Sequence, residues 1–378
     1  MTDQSCDAQN FETELFGALE ARWYQVATLH LVEAALERKI QRVLVQQPTG
    51  CGKTLTSGLI FSSDRVRRAL GITTDRPLRL LFIAHKHRLL TQAEETFADA
   101  SNVEFIPHSC FQDIPDELEW DISCIDEAHH EAMSTIQYQL DKLGDKPIIG
   151  LTATPDRADG MLIKFEEIIN PISRQQAVEE GWLARTYLNS VLDTPKTDKT
   201  EALKHLFQVY GSEMGQSMVF VRTKKEVRNI TEYLNKLNYN AVSILSQSDR
   251  EVNEILNMFS AGQIQFVVNC NKINEGVDVK GCSTVVLGRQ FGSYPQLNQV
   301  IGRASRPDSD CNVWELINPL SGRNLDTTVV VGTPERHRLI ATAKGKYVEY
   351  DFDYVAKDQV FGSGVSSQWQ SFNPTRMS

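Results

Sequence analysis

Paired cysteines, long apolar runs and an excess of basic residues are all missing from this chain of 378 residues. Its seven cysteines are dispersed, and no CxxC pair provides the spacing of a structural zinc site. An odd number of scattered thiols favours a reducing cytoplasm. The amino-terminal segment lacks the features of a signal peptide, and no apolar run is long enough to span a membrane. These absences predict a cytoplasmic protein that has no membrane partner.

Acidic residues outnumber basic ones, 49 against 39, and the formal net charge is −10. This charge argues against binding nucleic acid over a whole surface, because phosphate contacts require Lys and Arg. A local basic groove is still compatible with it, since net charge does not describe how charge is distributed. With 41% hydrophobic residues, a chain of this length has enough apolar material for two cores.

Predicted strands alternate with predicted helices along two stretches of the chain. In the first, RVLVQQ, LRLLFIAH, DISCIDE and PIIGLTAT are apolar runs, and WYQVATLHLVEAALERKI has helical spacing. In the second, SMVFV, AVSIL, IQFVVN, TVVLG and VWELI alternate with TKKEVRNITEYLNKL and DREVNEILNMFSAG. The alternation predicts an α/β protein with two parallel sheets.

The polar segment SVLDTPKTDKTEA separates the two stretches and favours a linker between two domains. We therefore predict an N-terminal extension (1–18), a first domain (19–185), a linker region (186–200), a second domain (201–330) and a C-terminal tail (331–378). Near the carboxyl end, TTVVVG and YVEYDFDYV are predicted to be edge strands.

The segment QQPTGCGKT follows a predicted strand and opens a predicted helix, KTLTSGLIFSSDRVRRAL. Gly50 and Gly52 would let backbone N–H groups turn around phosphates, and the helix N-terminus adds a favourable dipole. Lys53 could reach the β- and γ-phosphates, and the Thr54 hydroxyl could bind Mg²⁺. The standard phosphate-loop pattern has glycine where this chain has Gln47. A glycine turn that merely precedes Lys-Thr is the alternative.

The segment CIDEAHHE groups acids and histidines at the end of an apolar strand. In a phosphate-loop sheet a neighbouring strand delivers an acid to Mg²⁺, and Asp126 fits that role. Glu127 could then polarise the attacking water as a general base. A zinc site would need H-E-x-x-H on one helix face, whereas His129 and His130 are adjacent. A polar strand end without chemistry is the third possibility.

A series of motifs in a fixed order resembles superfamily 2 helicases of the DEAD/DEAH-box-like group, which includes restriction-type motor subunits and phage or bacterial repair helicases. RWYQ resembles the motif before the phosphate loop, and PTGCGKT, FIAHKHRLLTQ, DEAH and TATP resemble motifs I, Ia, II and III. MVFVRTKKEV, NCNKINEGVDVKGCSTVV and QVIGRASRP are similar to motifs IV, V and VI. The resemblance runs through roughly residues 19–307, and the order carries it more than any single segment.

The resemblance implies two tandem RecA-like phosphate-loop domains with ATP in the cleft between them. The catalytic residues it implies are Lys53, Asp126, Glu127, Gln299, Arg303 and Arg306. The nucleotide would also contact Arg22, Gln25, Pro48, Thr49, Gly50, Cys51, Gly52, Thr54, Gly276 and Asp278, and Mg²⁺ would be held by Thr54 and Asp126. Hydrolysis would be coupled to movement by His129, Thr152, Ala153 and Thr154. Nucleic acid would contact His85, Arg88, Thr91, Gln92, Arg222, Thr223 and Lys272.

The implied activity is a nucleic-acid-stimulated ATPase that uses ATP and Mg²⁺ to move on or remodel DNA, single-stranded or branched, in recombination, repair or replication. One alternative is an RNA helicase acting on RNA. Another is an ATP-dependent motor or switch subunit of a restriction or defence complex, which would bind a protein partner. The expected protein is a monomer in the cytoplasm of a bacterial or phage-infected cell.

Overall fold

A computed structural model describes residues 15–16, 19–73, 75–128, 138, 141–153, 165–192, 199–270, 279, 281–306, 309–317, 325–343 and 346–351. The chain divides into two compact units, Met1–Ala177 and Val178–Ser378. The division lies inside a short helix, Arg174–Glu179, a few residues before the boundary predicted at residue 185.

The first unit is built on a parallel sheet. Its strands are β1 (Leu15–Phe16), β2 (Leu19–Glu20), β3 (Arg42–Gln46), β4 (Leu78–Ala84), β5 (Val103–Ser109), β6 (Ile122–Asp126), β7 (Ile148–Thr152) and β8 (Glu167–Ile169). Its helices are α1 (Trp23–Glu37), α2 (Lys53–Ser62), α3 (Asp64–Ala69), α4 (His87–Phe97) and most of α5 (Arg174–Glu179). β1 and β2 form an antiparallel pair, and the other strands form one sheet in the order β5-β4-β6-β7-β3-β8.

The central strands of this sheet are buried on both faces, which explains their continuous apolar sequences. Val43 and Val45 of β3 belong to the same apolar cluster as Leu29 of α1 and Ile60 of α2. Leu44, between the two valines, belongs to the cluster on the opposite face. Side chains alternate between the two faces of a strand, so a strand covered on both faces needs apolar residues at every position.

The prediction of one helix from Lys53 to Leu70 is wrong, because the chain breaks it at Ser63. Ser63 has an extended backbone, and its hydroxyl accepts a hydrogen bond from the Arg65 backbone N–H at 3.2 Å. Serine is a favoured residue at a helix N-cap, so Ser63 begins α3 directly after α2 ends. Apolar spacing continues across the break, at Phe61 and Val66, and this continuity hid it from the sequence pattern.

The second unit contains a sheet of eight strands. They are β9 (Thr186–Leu192), β10 (Ser217–Phe220), β11 (Ala241–Ile244), β12 (Phe266–Asn269), β13 (Thr284–Leu287), β14 (Cys311–Ile317), β15 (Arg336–Ala343) and β16 (Lys346–Asp351). The helices are α6 (Lys199–Tyr210), α7 (Lys224–Lys236), α8 (Asp249–Ser260), α9 (Tyr294–Ile301) and α10 (Thr328–Val331). The strand order is β11-β12-β10-β13-β14-β9-β15-β16, and every neighbouring pair is parallel except β15 with β16.

The segment predicted as a linker region, 186–200, instead contains a strand inside the sheet and the start of α6. β9 lies between β14 and β15 and pairs with both. Its polar residues Asn189 and Ser190 are buried with hydrogen-bond partners on β14. The Asn189 side-chain amide donates to the Val313 carbonyl at 3.3 Å, and Ser190 bonds to Glu315 at 2.6 Å. Polar residues of this kind suggest a loop in a sequence until the partners are known.

The carboxyl-terminal elements follow the prediction only in part. TTVVVG was expected to be an edge strand, but Thr328–Val331 is a short helix. Asp326 accepts hydrogen bonds from the backbone N–H (2.9 Å) and the hydroxyl (2.6 Å) of Thr328, and this local cap outweighs the strand preference of the valines. Lys346–Asp351 is an edge strand, as predicted for YVEYD, and with β15 it makes part of the predicted tail (331–378) integral to the sheet.

Over the described part of the chain, no helix combines the length and the apolar character needed to cross a membrane.

Candidate nucleotide site and nucleic-acid surface

Three strand ends of the first sheet converge at its carboxyl edge. Gln46 of β3 lies beside Thr152 of β7, and Leu151 of β7 lies beside Asp126 of β6. One strand, β7, therefore separates the acid-bearing strand β6 from the phosphate-loop strand β3, and the prediction that the two are neighbours is wrong. β7 separates them because strand order is decided by pairing across the sheet and not by order along the chain. The Gln47 backbone N–H donates to the Thr152 carbonyl at 2.9 Å, which ties the phosphate loop to the end of β7.

The predicted phosphate loop is a tight turn that leads into α2. Gly50 and Gly52 have φ values of 91° and 80°, in the left-handed region that glycine adopts without a Cβ clash. A Cβ at Gly52 would lie 2.8 Å from the side-chain nitrogen of Gln25, so this glycine also allows a close approach. Helix α2 begins at Lys53, immediately after the turn. The backbone N–H groups of its first turn have no partner within the helix and can bind an anion.

The carbonyl oxygen of Cys51 connects the loop to the start of α1. The Tyr24 hydroxyl donates to it at 3.0 Å and the Gln25 side-chain amide at 3.2 Å. Gln25 accepts a hydrogen bond from the Arg22 backbone N–H at 2.9 Å, and the Arg22 guanidinium donates to the Tyr24 hydroxyl at 2.9 Å. Arg22 and Gln25, predicted to contact the nucleotide, thus also position the loop. Tyr24 lies inside the RWYQ segment but was not among the predicted site residues.

Gln47, which stands where the standard pattern has glycine, is a buried brace of the loop. Its side chain is fully buried. Its amide nitrogen donates to the Cys51 carbonyl, and its amide oxygen accepts from the Thr56 hydroxyl at 2.8 Å. The side chain therefore joins the turn to the second turn of α2. This departure from the pattern has a structural role of its own.

We expect Gln47→Met to weaken nucleotide binding several-fold and to lower the free energy of unfolding by about 1–3 kcal/mol. Methionine keeps a similar side-chain volume but cannot hold the Thr56 hydroxyl or the Cys51 carbonyl. Titration with fluorescently labelled ADP and urea-induced unfolding would measure the two effects. Exposed Gln208 provides the control, Gln208→Met. If Gln47→Met matched wild type in both measurements, the brace would have no role.

Lys53 and Glu127 face each other across this edge of the sheet. The Lys53 Nζ lies 4.0 Å from Glu127 Oε1, and each side chain is 15% exposed. Glu127 has a φ of 52°, a left-handed conformation that costs a non-glycine residue roughly 1–2 kcal/mol. Its backbone N–H donates to Asp126 Oδ1 at 2.9 Å, which supports the turn. Backbone strain of this kind concentrates at functional sites, where the surrounding structure maintains it.

Other predicted residues of the first unit line the same edge. Thr152 is fully buried, Ala153 is half-buried, and Thr54 is half-buried in the first turn of α2. The Thr49 hydroxyl is buried and has no hydrogen-bond partner among the residues that the structure describes, so a ligand could use it. Burial raises the pKa of the Cys51 thiol and keeps it protonated. Two predicted coupling residues, His129 and Thr154, lie outside the described residues, as do His130 and Glu131.

The predicted motif Ia residues follow the carboxyl end of β4. His85 is half-buried in the turn, whereas Arg88, Thr91 and Gln92 are exposed on α4. Residues three and four positions apart lie on one face of a helix, so these three side chains share a surface. The Thr91 hydroxyl bonds locally to the His87 carbonyl at 3.3 Å. The arrangement provides a polar helix face at the edge of the sheet.

In the second unit, Arg222 and Thr223 lie between β10 and α7, and both are exposed. The Thr223 hydroxyl accepts from the Glu226 N–H at 3.1 Å, and the Glu226 carboxylate accepts from the N–H groups of Arg222 (2.8 Å) and Thr223 (3.2 Å). This capping box begins α7 and fixes the turn. Lys272, the predicted contact in motif V, lies outside the described residues.

The motif VI residues belong to α9 and the turn that follows it. Gln299 is buried in α9, and Arg303 and Arg306 are half-buried after the helix ends at Ile301. Gly276 and Asp278, predicted to contact the nucleotide, lie outside the described residues.

Comparison with known families gives one match in each unit. Residues 18–115 match the family described as the type III restriction enzyme, res subunit, and residues 198–308 match the helicase conserved C-terminal domain. Together the two matches cover more than half of the chain, and they occur in the order that the motifs predicted. The chain belongs to the superfamily 2 helicases. The prediction of two RecA-like parallel-sheet domains is likewise confirmed.

Two curated relatives resemble this superfamily 2 chain over most of its length. IRC3 of Saccharomyces cerevisiae, whose name describes an ATP-dependent helicase, is 21% identical over 81% of the chain. Its Schizosaccharomyces pombe counterpart, named as a mitochondrial ATP-dependent helicase, is 22% identical over 89% of the chain. The chain spans 52% and 64% of the length of these relatives.

Solved structures support the fold of this superfamily 2 chain. A fragment assigned to the HsdR subunit of a type I restriction enzyme from Vibrio vulnificus superposes with a TM-score of 0.67 at 23% identity, covering 86% of the chain and 70% of the fragment. The type ISP restriction-modification enzyme LlaBIII, bound to DNA, gives a TM-score of 0.63 at 14% identity over 88% of the chain and 32% of that enzyme.

Proposed function

We propose that this superfamily 2 protein is a nucleic-acid-stimulated ATPase that couples ATP hydrolysis to movement on, or remodelling of, DNA. The observation that carries the proposal is the arrangement of Lys53 and Glu127. Their ammonium and carboxylate groups lie 4.0 Å apart, beside a turn in which two glycines have left-handed backbones. A site that only bound ATP would not need a positioned carboxylate for the hydrolytic step.

The residues of the first unit suit a nucleotide bound with Mg²⁺. The Asp126 carboxylate and the Thr54 hydroxyl are hard oxygen donors of the kind that Mg²⁺ prefers, and they would hold the ion. Bound Mg²⁺ would neutralise charge on the phosphate oxygens. Lys53 would bind the β- and γ-phosphates, and Glu127 would orient the attacking water and accept its proton. Lys53 Nζ lies 4.0 Å from Glu127 Oε1, and phosphate binding would replace that contact.

By the resemblance of their motif, Gln299, Arg303 and Arg306 of the second unit would contact nucleotide phosphates. Arginine suits this role because its planar, permanently charged guanidinium pairs bidentately with phosphate oxygens. Nucleic acid would contact Arg88, Thr91 and Gln92 of α4 and the turn at Arg222 and Thr223. In each unit, these exposed polar residues provide local contacts that an acidic protein can use.

A second candidate function is a motor subunit of a restriction or defence complex. The family match at 18–115 and the fold similarity to HsdR and LlaBIII favour it. Such a subunit would turn over ATP weakly alone and would form a stable complex with its partner protein. Size-exclusion chromatography of the chain co-expressed with the proteins encoded by adjacent genes would distinguish this candidate from an independent helicase.

The proposed function predicts that ATP turnover rises several-fold on addition of DNA. ATPase rates of the purified chain would be compared without nucleic acid and with single-stranded, duplex and forked DNA and single-stranded RNA of matched sequence. Stimulation mainly by DNA would support the proposal, and stimulation mainly by RNA would identify an RNA helicase. A turnover rate that no nucleic acid changes would contradict both.

A further inference from the structure

At the carboxyl edge of the second sheet, the connections that leave two neighbouring strands diverge and form a crevice. From β10 the chain passes through α7 to β11, which lies toward one edge of the sheet. From β13 it passes through α9 to β14, which lies toward the opposite edge. β10 and β13 are neighbours, so the two connections diverge between them. In open α/β sheets, ligands bind at the carboxyl ends of strands where connections diverge in this way.

Two segments leave the sheet at this crevice. Arg222 and Thr223 follow β10, and Gly288 and Arg289 follow β13. The Gly288 N–H donates to the Phe220 carbonyl at 2.9 Å, which holds the segments together at the point where they emerge. A Cβ at Gly288 would lie 3.1 Å from that carbonyl oxygen, so glycine allows the close approach. Arg289 is therefore fixed at the rim of the crevice.

Arg289 is a half-buried cation without an acidic partner in the described part of the chain. Its guanidinium lies 4.3 Å from the centre of the Phe291 ring. Its Nε and Nη2 atoms are buried and have no hydrogen-bond partner among the described residues. Burial lowers the pKa of Arg289, and the nearby Cys270 acts in the opposite direction. A buried charge without a counter-ion destabilises a protein, so a residue of this kind suggests that an anion is bound in the functional state.

A small cavity of about 30 Å³ adjoins Arg289 on the side of β14 and not of β10. Six of the other nine residues that line it are apolar, and the polar ones are Gln290, Glu315 and Thr327. The cavity has the size of a compact group and not of a nucleobase. The carboxylate of Glu315 would oppose an anion if it were fully charged. Burial raises the pKa of Glu315 to about 7, which reduces that opposition, whereas the hydroxyls of Ser190 and Thr327 donate to its oxygens and lower the pKa by a smaller amount.

We propose that Arg289, at the carboxyl end of β13, binds a phosphate group. The guanidinium suits this ligand because it remains charged when half-buried and offers several donors in one plane. The phosphate would come from the nucleic-acid backbone or from a nucleotide, and this choice of sources rests on the function proposed above. Arg289 was not among the residues implied by the motif resemblance.

The variant Arg289→Met removes the charge and keeps an unbranched side chain, and Arg289→Lys keeps a point charge without the planar donors. Arg250→Met is the matched control, because Arg250 is 89% exposed and pairs only with Glu254 on its own helix among the described residues. Each full-length protein would be titrated with labelled single-stranded DNA at about 50 to 200 mM salt and, separately, with fluorescent ADP. The unfolding temperature of each protein would also be measured with and without inorganic phosphate, a measurement that does not depend on ATPase activity.

We expect Arg289→Met to bind single-stranded DNA about tenfold more weakly and to lose about 0.7 from the slope of log affinity against log salt. Arg289→Lys should fall between Arg289→Met and wild type, and Arg250→Met should match wild type. A weaker affinity for ADP with unchanged DNA binding would identify the nucleotide as the source of the phosphate. Inorganic phosphate should raise the unfolding temperature of wild type more than that of Arg289→Met.

Without ligand, Arg289→Met should unfold at the same temperature as wild type or higher, because it removes a half-buried charge that has no acidic partner among the described residues. A lower unfolding temperature with unchanged DNA, ADP and phosphate responses would make Arg289 a structural residue and overturn the proposal. Unchanged values throughout would overturn it as well. The phosphate and ADP measurements do not depend on hydrolysis, so they test Arg289 even if nucleic acid fails to stimulate the ATPase.

Discussion

Lys53→Ala is expected to reduce ATP turnover by on the order of 10²-fold or more and to weaken nucleotide binding. Lys53 is the first residue of α2, it is only 15% exposed, and its Nζ lies 4.0 Å from Glu127 Oε1. In this position the ammonium group would neutralise phosphate charge both in the bound nucleotide and in the transition state, so binding and hydrolysis should fall together. Steady-state ATPase assays and titration with fluorescent ADP would measure the two losses.

Glu127→Gln should separate binding from hydrolysis. Glutamine keeps the size of the side chain but cannot accept the proton of the attacking water, so turnover should fall by about 10²–10⁴-fold. Nucleotide affinity should be unchanged or higher, because the variant removes the carboxylate that pairs with Lys53 and competes with phosphate for it. Lys236→Ala and Glu232→Gln on α7 are controls, since Lys236 and Glu232 are exposed.

The contrast between these two variants tests the assigned roles. If Glu127→Gln lost nucleotide affinity as severely as Lys53→Ala, Glu127 would act in binding or in supporting the turn. If Glu127→Gln kept wild-type turnover, the general base would be another group.

Glu315→Gln should make the protein more stable at neutral and alkaline pH. Glu315 lies on β14 and is only 7% exposed. Its carboxylate accepts hydrogen bonds from the hydroxyls of Ser190 (2.6 Å) and Thr327, and the Ser190 hydroxyl lies 2.7 Å from the buried His337 ring. Among the described residues no Lys or Arg forms an ion pair with Glu315. Burial therefore dominates and raises its pKa to about 7, from 4.5.

The direction of the pH effect follows from proton binding. Between pH 4.5 and about 7 the folded state holds a proton on Glu315 that the unfolded state releases. The stabilisation by protonated Glu315 is complete below the unfolded pKa and is lost as pH rises through the folded pKa. The free energy of unfolding should fall over this window by about 3 kcal/mol, the equivalent of the pKa shift, and Glu315 should add no further slope above it.

Urea-induced unfolding from pH 5 to 8, followed by circular dichroism, would test this prediction. Glu315→Gln should lack the pH-dependent loss and should exceed wild type in stability at pH 8 by about 2–3 kcal/mol. Glu335→Gln is the control, because Glu335 is exposed and lies directly before strand β15. Parallel pH profiles for wild type and Glu315→Gln would show that Glu315 is already ionised in the folded protein at low pH.

Short-range patterns in the sequence were sufficient for the fold class and for most elements of the two sheets. The strand before Gly50, the turn and the helix that begins at Lys53 lie where the phosphate-loop pattern predicts them. These features can be predicted because they depend on neighbouring residues. Buried parallel strands need continuous apolar runs, and a tight turn around phosphate needs glycine.

The features that the sequence did not reveal depend on contacts between distant residues. The linker prediction rests on the polar segment SVLDTPKTDKTEA, which begins at Ser190 and overlaps β9. Only the pairing of Asn189 and Ser190 with β14 makes them suitable for a buried strand. The position of β7 between β3 and β6 is likewise a matter of pairing across the sheet.

The sequence by itself therefore determined the chemistry of the candidate nucleotide site, because the residue types and their spacing within one turn or strand end specify it. Only the tertiary structure decided how Gln47 braces the loop, that Glu127 faces Lys53, and that Arg289 lies half-buried without an acidic partner in the described residues. Each of these depends on burial and on partners far away in the chain. Desolvation and long-range hydrogen bonding cannot be read from local spacing.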